Sequence, residues 1–138
     1  MGNESPFLRY RDILLVHSYS AAGALQDFAL SCYNGQLGQF RGDALANFDQ
    51  HHFAIFLEMA NYYYRHREND PHLLEVGAAI WEDRRERGRK LLTELAEHRA
   101  INPKQYAEGS ERDYYDQLDW LVQQTDRMKA KGWITVNE

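Results

Sequence analysis

Between residues 50 and 67 the chain repeats apolar side chains in a way that leaves few folds open. Phe53, Phe56, Leu57, Ala60, Tyr63 and Tyr64 recur at spacings of three and four, which places them on one face of an α-helix. Ile55, Met59 and Tyr62 recur at the same spacings on another face. A helix that is apolar on two faces is covered on both, by its own chain or by another one. Asp49 reads as its N-cap, because a short carboxylate accepts hydrogen bonds from the free amides of the first turn.

The same period recurs in three further segments. From about residue 7 to 33, Tyr10, Leu14, His17, Ala21, Ala24, Leu25, Phe28 and Cys32 share a face, and Asn34-Gly35 is a stop signal. Ser18 and Ser20 weaken the middle of that helix. A connector over 36–42 carries turn glycines, and a short helix is expected at 43–47. Asp70-Pro71 opens a helix that runs to about 99, with Leu74, Gly77, Trp81, Gly88, Leu91, Leu92 and Leu95 inward. Gly77 and Gly88 each cost roughly 1 kcal/mol against Ala in a helix interior, so their place on the inner stripe implies a close neighbour or a bend. Asn102-Pro103 ends this helix. Ser110 and Asp113 form a capping-box pattern for a last helix over 111–131, striped by Tyr114, Leu118, Leu121, Val122, Thr125 and Met128. Gly132 closes it.

These segments predict an all-α chain: one helical domain over 1–138, an antiparallel helical bundle of about four main helices with short connecting helices. Residues 1–6 are expected to form an N-terminal extension and 133–138 a C-terminal tail. Trp133-Ile134-Thr135-Val136 is too apolar to stay solvated, so the tail is expected to dock on the body or on a partner.

The length of 138 residues suits one domain that folds without staples. A net charge of −5 argues against non-specific nucleic-acid binding and fits a protein partner better. The single cysteine, Cys32, excludes an internal disulfide or a Cys-rich zinc site, and is expected to be a buried, inert thiol. The N-terminus lacks a basic stretch followed by an apolar core, and no apolar run is long enough to span a membrane. The expected setting is the bacterial cytoplasm, where the Asn3-Glu4-Ser5 sequon and the Arg41-Gly42-Asp43 triplet are chance matches.

Three patterns bear on chemistry. Asp49 with His52, and Glu94 with His98, stand one helical turn apart, so each pair offers two metal-type ligands on one face. Neither has the Glu-x-x-His form of di-iron bundles, and capping or solvation accounts for both. A basic run, Arg84-Arg85-Glu86-Arg87-Gly88-Arg89-Lys90, is interleaved with Glu82, Asp83 and Glu86, as on a solvated, salt-bridged face. His17 falls within an apolar stripe, which predicts a buried histidine with one hydrogen bond satisfied. Phosphate-loop and nucleophile-elbow patterns are absent from the sequence, and no cofactor is expected.

Two resemblances add expectations. Arg67-Glu68-Asn69-Asp70-Pro71-His72 is similar to the Arg-x4-His motif of HEPN-type ribonucleases, also helical bundles. That resemblance implies RNA cleavage through Arg67 and His72, although Glu68 and Pro71 depart from the motif. The stretch from Ala24 to Gly35, ending on Tyr33-Asn34-Gly35, followed by Leu45-Ala46-Asn47-Phe48-Asp49 and an apolar helix through Glu58, is similar to a family of small uncharacterised proteins found on bacterial phages, plasmids and integrative elements. It implies an accessory protein of a mobile element acting on a host complex, and carries no functional residue.

The function expected from the residues is a non-enzymatic protein-interaction module, a homodimer with a further protein partner and no membrane contact. Its interface is expected at Ile55, Met59, Tyr62 and His66 together with Trp133 and Ile134, since an apolar patch left on a lone bundle marks an interface. The alternatives are the ribonuclease of Arg67 and His72 and a metal-binding bundle using Asp49, His52, Glu94 or His98.

Overall fold

The structure, a computed structural model, describes residues 4–135. The sequon's Asn3 and the tail's Val136 lie outside the described residues. All regular structure among the described residues is helical, with no strand. The α-helices are α1 (Pro6–Arg9), α2 (Arg11–Leu15), α3 (Ser20–Tyr33), α4 (Gln50–His66), α5 (Pro71–Ala100) and α6 (Glu111–Ala130). Tight 3-10 turns occupy Gly42–Asn47, Arg67–Asn69 and Pro103–Gln105. Helices α3 to α6 are long, so the all-α class holds. The chain forms two compact units, one through Glu82 and one from Asp83, and α5 contributes its first half to one and its second half to the other.

In the first unit the expected helix over 7–33 is three helices. Helix α2 stops because the Val16 and His17 amides both turn back onto the Asp12 carbonyl. The carbonyls freed at that end are taken by the side chain of Gln26, whose amide donates to Ile13 (3.0 Å) and His17 (2.8 Å). Interruption shifts the helical register, so His17 lies exposed rather than buried in an apolar stripe. The expected N-terminal extension is also structured at its end. Ser5 accepts from the Phe7 amide (3.2 Å) as the cap of α1 and donates to Asp70 (2.6 Å), and Ser5 and Pro6 are both buried. Asp70 in turn accepts the His72 amide (3.1 Å) at the start of α5, as its cap position requires.

Phe7, Leu14, Leu25, Leu30, Ile55, Met59, Leu73, Val76 and Ile80 meet in one cluster, with Cys32 at its margin. Burial pushes the Cys32 thiol up to about 12, which makes it inert at neutral pH. In α5 the buried positions are Leu73, Val76, Gly77 and Ile80, so Leu74, read as inward, faces solvent. A Cβ on Gly77 would overlap the Tyr33 ring, so the glycine admits α3 to close contact.

In the second unit α5 and α6 run antiparallel. His98 meets Tyr114 near the turn, Leu91 and Leu95 meet Leu121 midway, and Gly88 lies under Trp133 and Ile134 at the far end. The capping box forms in full: the Asp113 amide donates to Ser110 Oγ (3.2 Å) and the Ser110 amide to Asp113 Oδ2 (2.8 Å). Gly132, at φ 80°, ends α6 by turning the Trp133 amide back onto Met128 (2.9 Å).

Candidate interaction surface on the fourth helix

Helix α4 starts where Asp49 accepts the His52 amide (2.8 Å) and ends at Arg67, whose φ of 52° is rare for a residue with a side chain. Both apolar faces read from the sequence exist, but their roles are exchanged. Ile55 (1% exposed) and Met59 (0%) pack into the first unit's core, and Tyr62 is half-buried beside them. They are therefore not the outer patch expected of them, since presenting them would require opening that core. His66 is exposed, with its ring 4.1 Å from that of Tyr62.

The outward stripe is the other one. Phe53 (40% exposed), Leu57 (49%) and Tyr64 (77%) follow one another at helical spacing, with Ala60 completing the row. Phe53 rests on a prepared base. Its ring stacks 6.3 Å from Phe56, which lies 4.7 Å from Phe28 and 5.2 Å from Phe40. Aromatic side chains that are apolar, stiff and already positioned lose little entropy on contact, which is why such residues are concentrated where proteins meet.

The C-terminal tail, also expected at the interface, is occupied within its own unit. Ile134 is buried against Gly88, and Trp133 is half-buried. Arg85 donates to the Trp133 carbonyl (2.9 Å), and the Arg84 guanidinium lies 4.9 Å from the Trp133 ring centre. The basic run is thus only partly a solvated face: Arg87 pairs with Asp83 (3.0 Å), whereas Arg84 is buried and helps hold the tail.

The metal-type residues do not assemble. Asp49 Oδ1 sits 2.8 Å from His52 Nδ1, and His52 Nε2 sits 3.0 Å from the Tyr19 hydroxyl, so both ring nitrogens are engaged. His98, read as solvated, is buried, with Nε2 donating to the Tyr114 carbonyl (2.9 Å) and its ring stacked 4.3 Å from Tyr114. Glu94 points to solvent. Among the described residues no three His, Cys, Asp or Glu side chains converge to hold a metal. The stretch from Arg67 to His72 folds as the corner between α4 and α5, with Arg67 exposed in the strained turn and His72 in the first turn of α5. No helix among the described residues is long and apolar enough to cross a membrane.

Sequence reasoning missed Tyr19, which reaches His52 from 33 residues away. No protein-family model, curated protein or solved structure matches the chain.

Proposed function

We propose that this chain is a protein-interaction module whose partner is a second copy of itself, paired through the outer face of α4. The observation that carries the reading is the row of exposed Phe53, Leu57 and Tyr64 with half-buried Ala60 between them. A two-fold pairing must be self-complementary, with residue i on j and j on i. Antiparallel α4 helices satisfy that: Phe53 meets Tyr64 of the second copy, and Leu57 meets Ala60, whose small side chain lets the helices approach closely at the centre. Opposed helix dipoles favour the same orientation.

The area places the contact in a size class. Whole aromatic side chains bury 150–250 Å², so the exposed parts of this row amount to about 300 Å² per copy. Flanking Gln50, Ala54 and Asn61 raise the total for both copies toward about 1,000 Å², the size of weak, transient contacts. The expected dimer therefore dissociates with a Kd on the order of 10 μM. Sedimentation equilibrium from about 1 to about 300 μM brackets that value. The average mass is expected to rise from 16.2 kDa toward twice that figure. A mass fixed at 16.2 kDa throughout contradicts the reading.

A further inference from the structure

The heads of α3 and α4 carry a feature that the dimer does not use. Asp49, His52 and Tyr19 form one hydrogen-bonded chain of carboxylate, imidazole and phenol, with steps of 2.8 and 3.0 Å. Each member is fixed by its backbone. Asp49 is the cap of α4 and His52 sits one turn on, so their side chains meet because of helix geometry. Tyr19 occupies the cap position of α3, and its carbonyl accepts the Gly23 amide (2.9 Å).

The chain has a direction. Asp49 is held ionised by the His52 amide and then by the His52 ring, both of which lower its pKa. An ionised carboxylate only accepts, so His52 Nδ1 carries the hydrogen and Nε2 offers its lone pair to the Tyr19 hydroxyl. A hydroxyl within 2.6–3.2 Å of a base that a third group orients is the geometry of an activated nucleophile. Exposure follows the same order. His52 has a side chain only 14% exposed, whereas Tyr19 is 45% exposed and open to a substrate.

The neighbours indicate the substrate class. The His17 ring centre lies 5.6 Å from that of Tyr19 and the His51 ring centre 5.3 Å from that of His52, so a further imidazole adjoins each member of the pair. The Tyr19 side chain, turned to His52, makes no cap hydrogen bond to α3. Imidazoles, whose N–H groups are hydrogen-bond donors, beside an attacking oxygen suit the non-bridging oxygens of a phosphate ester.

We propose that Tyr19 is a nucleophile toward phosphate esters, with His52 as its general base and Asp49 as the residue that orients His52. The Tyr19 Oη–P bond forms as the ester P–O bond breaks. The phenol proton passes to His52 Nε2, and the leaving alcohol or phenol departs with the bonding pair. The product is a phosphate ester on Tyr19.

The test uses bis(p-nitrophenyl) phosphate at a protein concentration of about 1 μM, well below the expected dimer Kd, so failure of the dimer does not affect it. The readouts are p-nitrophenolate absorbance and the intact mass, followed by peptide mapping. The expected result is one p-nitrophenyl phosphate group on Tyr19 for each p-nitrophenolate released in the first turnover. Tyr19→Phe abolishes the adduct. Asp49→Asn keeps the helix cap, because Asn caps as well as Asp, yet slows labelling at least about tenfold. Circular dichroism verifies that each variant is folded. Release no faster than in buffer, an adduct on another residue, or unchanged labelling in folded Asp49→Asn overturns the proposal.

Discussion

The two compact units exclude water by different means. Through Glu82, apolar side chains from five helices meet in one cluster, ringed by half-buried aromatics such as Tyr10, Phe28, Tyr33 and Phe56. From Asp83 onward the buried cluster consists of Leu91, Leu95 and Leu121, flanked by half-buried Leu118, Val122 and Met128. The rest of that hairpin is closed by plugs at its ends. His98 stacks on Tyr114 at one end, and Ile134 and Trp133 lie over Gly88 and Arg84 at the other. A residue removed from the first unit leaves a lined cavity, because its neighbours come from several elements and cannot all move in. In the second unit only two helices face each other, so the structure collapses more readily around a loss, and its stability rests more on the plugs.

The largest expected effect separates the units directly. Met59→Ala should cost about 3–5 kcal/mol and Leu121→Ala about 2–3 kcal/mol, the upper and lower parts of the range for large-to-small core substitutions. Chemical denaturation reads both, and equal losses would erase the distinction. A smaller effect comes from the plug. A Cβ on Gly88 would lie 2.7 Å from the Trp133 carbonyl oxygen and 2.8 Å from Ile134 Cγ1. Overpacking costs about 1–3 kcal/mol and the helix regains about 1 kcal/mol, so Gly88→Ala should destabilise by about 1 kcal/mol and shift the fluorescence of Trp133. Gly23 in α3 has open space around it, so Gly23→Ala should instead gain about 0.5–1 kcal/mol. Stabilisation by both substitutions would mean that the tail does not depend on Gly88.

The smallest effect is on pH dependence. The Ser110 amide, and then its hydroxyl, hold the Asp113 carboxyl below the usual carboxylate range. A group with a depressed folded pKa contributes stability that is complete above its unfolded value and fades as the pH falls through the folded one. Thermal melts should therefore lose this contribution below about pH 4, and Asp113→Asn should flatten that part of the profile by slightly lowering the neutral-pH melt while leaving the acid melt nearly unchanged. An unaltered acid profile in the variant would show that the cap contributes nothing through its charge. The contribution is small because the carboxylate is exposed.

What was legible in the sequence follows from how local each cause is. The capping box at Ser110, the stop at Gly132 and the Asp70-Pro71 start are decided within a few residues, and all three form. The two faces of α4 were equally plain, but helical spacing shows only that there are two. Which one faces inward depends on α1, α3 and α5, so Ile55 and Phe53 exchanged roles. Leu73 and Leu74 are adjacent leucines, and only the packing of Leu73 with α3 and α4 chooses between them. The break between α2 and α3 rests on Gln26, thirteen residues from the carbonyl of Ile13 that it satisfies. At the candidate site the Asp49–His52 pair was visible at its i,i+3 spacing, but the Tyr19 contact is a product of tertiary folding.

The central claim, that the outer face of α4 is where this chain meets its second copy, is tested most directly by sedimentation equilibrium on three proteins at about 300 μM, well above the expected Kd. They are the natural chain, Leu57→Glu on α4, and Tyr115→Glu at an exposed aromatic position of the second unit. The account predicts that the natural chain and Tyr115→Glu both exceed 16.2 kDa, while Leu57→Glu, folded by circular dichroism, remains at 16.2 kDa. A folded Leu57→Glu protein that still dimerises, or a Tyr115→Glu protein that alone becomes monomeric, would contradict it.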